Sequence, residues 1–252
     1  MKVVMLAGPK SSTWIVANAL RGETPLAALI VESLPPRWRL AERRARRIGW
    51  PAVIGQALFI LYAAKLQFDT RCRAAQILAG SGLDPRPPDG IEILTVPSAN
   101  GQPTIDLLQR LAPEVVVVCG TRILSPRLLE CVKATFINMH SGITPKYRGV
   151  HGAYWALANA DPGNAGVTVH LVDRGIDTGG VLYQARITPT DRDNFATYPL
   201  LQLSAGIPLL KQAVRDALAG RLTPAENRLP SRLYYHPTIW QYWRTRINAG
   251  VK

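Results

Sequence analysis

Four consecutive valines, Val115-Val116-Val117-Val118, constrain this chain more than any other segment. A run of β-branched residues without polar alternation suits a strand covered on both faces, and such strands belong to mainly parallel sheets packed between helices. Short apolar runs of similar character occur at 3–7, 26–31, 91–96 and 136–139, so these also read as strands. Amphipathic segments of helical length separate them at 11–20, 104–111 and 125–131, which is the βαβ rhythm. Ser125 has the side chain of a helix N-cap, and Pro126 the fixed φ that suits the first helical position.

Residues 37–80 interrupt the rhythm with an Arg-rich helical stretch, which the breaker-rich segment GLDPRPPDG (82–90) closes. It reads as an insertion. Two more strands are expected at 167–172 and 181–187, on either side of the polar loop 173–180, followed by a helix at 196–219. From Arg221 onward Pro and aromatic residues (Tyr234, Tyr235, Trp240, Tyr242, Trp243) suggest an irregular cap. The fold class expected is therefore α/β: a Rossmann-like, mainly parallel sheet with helices on both faces, an Arg-rich helical insertion and a C-terminal helical or irregular cap. Residues 1–190 are expected to form the main domain, and 191–252 a terminal helix and aromatic tail.

Charge divides the function classes. The chain's 30 Lys and Arg outweigh its 17 Asp and Glu, a net charge of +13, while 47% hydrophobic content excludes a disordered or fibrous chain. Arg37, Arg39, Arg43, Arg44, Arg46, Arg47, Lys65, Arg71 and Arg73 face only Glu42 and Asp69 within 35–75. Such a cluster suits nucleic acid, anionic lipid or a phosphate-bearing ligand, or it is simply a solvated helix face. No helix-turn-helix, zinc-finger or RNA-recognition signature accompanies it. The apolar stretch 50–64, interrupted by Pro51 and Gln56, falls short of the roughly 20 residues of a membrane span and reads as a buried or interfacial helix. Cys72, Cys119 and Cys131 are too few for a disulfide framework, and the segment after Met1 lacks a secretory cleavage site, so a cytoplasmic location is expected, with no bound metal.

Asn138 and His140 stand two apart at the end of the strand FINMH, so both side chains leave the same face. The carboxyl edge of an open α/β sheet is where ligands bind. Taken alone, the pair is as consistent with a structural hydrogen bond as with catalysis. The polar loop beyond it, SGITPKYRG (141–149), is punctuated by Gly and Pro, and 167–184 carry a second polar cluster.

Three separated motifs, CGTRILS (119–125), INMHSGITPKYRG (137–149) and GVTVHLVDRGIDTGG (166–180), occur in the order found in the 10-formyltetrahydrofolate-dependent formyltransferases, and from 91 to 187 the chain resembles that family. The family includes glycinamide ribonucleotide transformylase, methionyl-tRNA formyltransferase and sugar N-formyltransferases. The resemblance implies a catalytic trio of Asn138, His140 and Asp177, with 10-formyltetrahydrofolate held by Thr121, Arg122, Ile123 and Leu124 and by the loop from Val172 and Asp173 to Asp177. Asn138 and a protonated His140 would stabilise the oxyanion of the tetrahedral intermediate, with Asp177 raising the His140 pKa. Asp173 could equally be a turn residue. His170 reads as a core histidine rather than a proton carrier, and His151 and His236 as structural or exposed. Lys146 and Arg148 suit either an anionic acceptor or solvent. Ser141-Gly142 departs from the family's more usual Pro-Ser or Gly-Ser.

The acceptor follows by elimination. The region after Ile187 reads as helix and tail instead of the β-barrel of methionyl-tRNA formyltransferase, which disfavours tRNA. The insertion disfavours the purine-pathway enzyme, and the immediate first strand disfavours formyltetrahydrofolate hydrolases with their N-terminal regulatory domain. A small, phosphate-bearing amine is left, foremost a nucleotide-linked amino sugar; hydroxyornithine is the next candidate. A non-catalytic or membrane-docking protein that reuses the fold is the alternative class, with peripheral membrane contact through 37–65 and a homodimer as further expectations.

Overall fold

The computed structural model describes residues 2–24, 26–34, 36–225 and 229–252; the side chains of Arg37 and Arg39 lie outside the described set, so these members of the basic cluster are placed by backbone alone. Nine strands occur among the described residues: β1 Val3–Ala7, β2 Leu26–Glu32, β3 Ile93–Val96, β4 Val115–Cys119, β5 Thr135–His140, β6 Arg148–Gly149, β7 Gly166–Leu171, β8 Val181–Arg186 and β9 Leu233–Tyr234. Seven of them form one sheet in the order β3-β2-β1-β4-β5-β7-β8. Its first five strands are parallel, whereas β7 runs antiparallel to β5 and β8 antiparallel to β7. The valine run sits near the centre of the sheet, beside β1, and is buried.

The helices are α1 Ser11–Arg21, α2 Arg37–Ile48, α3 Trp50–Asp69, α4 Arg71–Gly80, α5 Gln102–Leu111, α6 Pro126–Leu129, α7 Gly152–Ala158, α8 Tyr198–Leu218 and α9 Ile239–Ala249. Alternation along β1 divides the interior: Val3, Met5 and Ala7 meet α1 and α8, while Val4 and Leu6 meet α5 and α6. A third core joins Phe59 and Leu66 of α3, Tyr154 of α7, Tyr198 of α8 and Tyr242 of α9 around Phe195. Residues on both sides of position 190 share these cores.

The structure corrects the sequence reading at three places. The helix expected over 125–131 is one turn, α6, although Ser125 caps it as anticipated by accepting the Leu128 N–H at 3.3 Å. The insertion is three helices, broken at Gly49, whose φ of 81° is unsuited to most side chains, and at Thr70. The tail contains α9, started by a capping box in which Thr238 and Gln241 each satisfy the other's backbone N–H. The polar Thr-x-x-Gln signal there was masked by the surrounding aromatics.

Candidate functional site

β5 ends on His140, and its neighbours decide what lies around it. Antiparallel pairing sets Asn138 opposite His170 of β7, and β4 pairing sets it beside Val118. Beyond the strand, residues 141–149 curl back so that the Tyr147 carbonyl accepts the His140 Nε2–H at 2.8 Å. A Cβ at Gly142 would lie 2.3 Å from that carbonyl oxygen and 2.7 Å from Nε2, so the close approach requires glycine. Thr168 fixes the same loop by donating to the Gly142 carbonyl at 2.8 Å, and Gln184 donates to the Thr144 carbonyl at 2.9 Å.

The loop after β7 brings Asp177 to the pair. Its φ of 52° is a left-handed conformation that Asp tolerates better than most residues. Oδ2 accepts the Gly149 N–H at 2.9 Å and lies 3.3 Å from His140 Nδ1, while Oδ1 lies 3.6 Å from His170 Nε2 and 3.5 Å from Asn138 Nδ2. Asn138, His140 and Asp177 are thus brought together at the carboxyl end of the sheet. His170 is buried and engaged at both nitrogens: Nδ1–H donates to the Leu171 carbonyl at 2.7 Å, and Nε2 accepts from Asn138 at 3.1 Å. It positions Asn138 from behind.

Electrostatics gives the trio its protonation state. Burial disfavours the imidazolium of His140 and outweighs the Asp177 charge that favours it, so the His140 pKa falls below 6.5. Asp177 thus acts in the expected direction, but burial outweighs it, so the protonated His140 expected as an oxyanion donor is disfavoured. Burial alone would push the Asp177 carboxyl upward, but the nearby His170 ring, the charge of His140 when protonated and the Gly149 N–H together bring it down to about 2. The resting site is therefore a carboxylate facing a neutral imidazole. With Nε2–H committed to Tyr147, Nδ1 is the atom that accepts a proton, and Asp177 stands beside it.

The segment Thr121–Leu124 lies at the end of β4. Leu124 is buried against the second core, where Val172 also packs, while Ile123 is 60% exposed. Glu32, buried at the end of β2, accepts the Arg122 N–H at 2.6 Å and its Nε–H at 2.5 Å, and also the Ala99 N–H at 2.9 Å. Asn100 donates to the Ile123 carbonyl at 2.9 Å and accepts the Ser125 N–H at 2.8 Å. The Arg122 side chain is thus an anchor for the loop. Asp173 is occupied within its own turn, accepting from Gly175 N–H at 2.9 Å and Thr178 Oγ1–H at 2.7 Å.

The remaining polar residues are internal too. Lys146 pairs with Asp161 at 2.6 Å, Arg148 donates to the Ile176 carbonyl at 3.0 Å, and His151 meets His236 at 2.9 Å. Burial lowers the pKa of both histidines, that of His236 to about 4. Glu32 and Asn100 are the positioning residues the sequence reading missed. A carboxylate closing the otherwise apolar strand LAALIVE was the available signal for Glu32; Asn100 had none.

A protein-family model for formyl transferase matches residues 85–198. Methionyl-tRNA formyltransferases from Levilactobacillus brevis and Limosilactobacillus fermentum are 31% and 32% identical over 59% and 60% of this chain. The matches cover 47% and 48% of those proteins, so the chain spans about half the length of the curated relatives it matches. Two solved structures share the fold. Glycinamide ribonucleotide transformylase 1 from Symbiobacterium toebii superposes with a TM-score of 0.58 at 20% identity, over 93% of this chain and 94% of that one. The N-formyltransferase from Helicobacter canadensis in complex with folinic acid and dTDP-3-aminofucose gives 0.56 at 18% identity, over 93% and 71%.

Proposed function

We propose that this chain, whose residues 85–198 match the formyl transferase model, transfers a formyl group from 10-formyltetrahydrofolate to the primary amine of a small acceptor, with nucleotide-linked amino sugars the leading class. The observation that carries this reading is the convergence of Asn138, His140 and Asp177 at the end of β5, inside the matched segment.

Each residue has a separable task. Asn138 has one N–H held by His170 at 3.1 Å and only a loose 3.5 Å contact to Asp177 for its amide otherwise, so it retains a donor for the formyl oxygen as that oxygen gains charge. Neutral His140 takes at Nδ1 the proton that the attacking amine loses, and Asp177 holds the imidazolium so formed. His140 then releases that proton toward the departing nitrogen. The donor, when bound, supplies the formyl carbon and leaves as tetrahydrofolate. The residues present suit it: Ile123 offers an exposed apolar side chain for a flat ring, on a loop that Glu32 and Asn100 tie down, and Val172, where the 172–177 loop begins, packs on the same core as Leu124.

Support for the acceptor is coarser. A net charge of +13 suits a diphosphate-bearing sugar, and the shared fold includes an N-formyltransferase solved with a nucleotide amino sugar. The curated relatives favour aminoacyl-tRNA as a second acceptor, which the same positive charge suits. A panel of nucleotide amino sugars, N5-hydroxyornithine and methionyl-tRNA, each offered with 10-formyltetrahydrofolate, separates these readings through release of tetrahydrofolate. Turnover with an amino sugar alone supports the first. Turnover with methionyl-tRNA alone transfers the assignment, and no turnover with any amine overturns formyl transfer.

A further inference from the structure

The helices of the insertion present an arrangement that formyl transfer does not use. On α3, Trp50, Ile54, Leu58, Leu61 and Phe68 follow a helical spacing that places them on one face, and all are exposed, Leu61 by 71% and Phe68 by 66%. Most of the other face is occupied: Val53, Gln56, Phe59 and Leu66 are buried, with Phe59 4.7 Å from the Phe195 ring and 5.1 Å from the Tyr242 ring, while Ile60 at its edge is exposed. α9 lies alongside. The Trp240 ring covers Gly55, the Trp243 ring lies 5.4 Å from the Tyr62 ring, and Trp240, Trp243 and Ile247 continue the exposed apolar surface.

Charge accompanies this surface. Arg43, Arg44, Arg46 and Arg47 are exposed on α2, which packs against α3, and Arg244 is exposed on α9. Arg46 pairs with Glu42 at 2.6 Å and Arg47 lies 5.2 Å over the Tyr235 ring. An apolar face rich in Trp, Leu and Phe and bordered by arginines is the composition of an element that lies in a lipid interface.

We infer that α3 and α9, with the arginines of α2, dock this protein on the surface of an anionic bilayer. α3 has 20 residues, enough to cross a membrane, but its inner face is committed to the third core, which leaves one side for lipid. A second copy would bring two arginine clusters of like sign together around the shared apolar face, against a net charge of +13 on each chain. Nucleic acid would engage the arginines but leave the aliphatic side chains of Ile54, Leu58, Leu61 and Ile247 without a role.

Co-sedimentation of the full chain with vesicles tests this. Binding is expected to equimolar phosphatidylcholine and phosphatidylglycerol, and to weaken with added salt. Replacing Leu58, Leu61 and Phe68 together with Ser, or Arg43, Arg44, Arg46 and Arg47 together with Gln, should each lower partitioning by at least about tenfold. Melting temperature and folate binding should stay at the parent values, which separates lost docking from lost folding and from any failure of the formyl-transfer assignment. Absence of vesicle binding by the parent chain overturns the proposal, as does binding that both variants retain. A dimer in light scattering that only the apolar variant dissociates, without vesicle binding, assigns the face to a second copy. Competition by duplex DNA, with binding lost in the arginine variant alone, reduces the surface to a polyanion site and likewise overturns it.

Discussion

The carboxyl edge of the sheet and the α2–α3–α9 flank handle polarity in opposite ways. At the edge, charged and polar groups are buried and most are engaged: His140 is 6% exposed, with Nε2–H donating to the Tyr147 carbonyl and Nδ1 3.3 Å from Asp177, which receives contacts at both oxygens. On the flank, large apolar groups and arginines face solvent together. Burying a charge is tolerable only when its hydrogen-bonding capacity is filled, which forces rigid loops and leaves little tolerance for substitution. Exposing apolar surface imposes no such geometry and becomes useful when something covers it. The edge should therefore respond to single atoms, and the flank only to changes in composition.

The largest effect should come from the trio. His140→Ala and Asp177→Asn are expected to lower turnover by about 10³-fold, measured as tetrahydrofolate release under saturating substrates, with the far-ultraviolet circular dichroism unchanged. Asn keeps the left-handed backbone of position 177 available, so a collapse of the fold in Asp177→Asn would contradict the assignment of a chiefly electrostatic role.

Next is Gly142→Ala, which forces the Tyr147 carbonyl away from His140. A destabilisation of about 1–3 kcal/mol is expected from overpacking, together with lost turnover; a parent-like melting temperature would show that the loop moves freely and that the edge is less rigid than described.

Acidity probes the same network. Asp177 is held at about 2 in the folded chain against an ordinary value of 3.8, so its contribution, of the order of 2 kcal/mol, is fully present above pH 3.8 and disappears as pH falls toward 2. The pKa of His140 is likewise depressed from 6.5, so the native state takes up its proton later than the unfolded chain and loses stability as pH falls from 6.5. The acid limb of turnover should then have its midpoint below 6.5, and Asp177→Asn should move it lower still by removing the charge that favours the imidazolium. A midpoint above 6.5 would restore a resting imidazolium.

The smallest effect belongs to the flank. Ile54→Ser, at an exposed position, should change stability by no more than about 0.5 kcal/mol in urea denaturation. A loss of several kcal/mol would mean that the face is already covered within the fold.

Legibility followed the same division. The sheet could be read because its strands are apolar on both faces: Val115 to Val118, Val3 to Ala7 and the end of FINMH lie where periodicity places them. The trio was marked by Asn138 and His140 as polar exceptions on an apolar strand and by its motif order. The protonation state of His140 was not legible, because it depends on how completely residues 141–149 and 173–177 exclude water, a property of packing between distant segments. Glu32 was missed for a similar reason, since its partners Arg122 and Ala99 are far along the chain. Arginine content announced the insertion, but its division at Gly49 and Thr70 and the partnership of α3 with α9 are tertiary facts that composition does not encode.

A crystal structure of the full chain soaked with 5-formyltetrahydrofolate, which keeps the ring system and the formyl group, tests whether the end of β5 is where a formyl group is held and transferred. The ring is expected against Thr121–Leu124 and the loop 172–177, with the formyl group beside His140 and its oxygen within hydrogen-bonding distance of Asn138 Nδ2. Density for the folate elsewhere on the surface, or an empty carboxyl edge at saturating ligand, would contradict it.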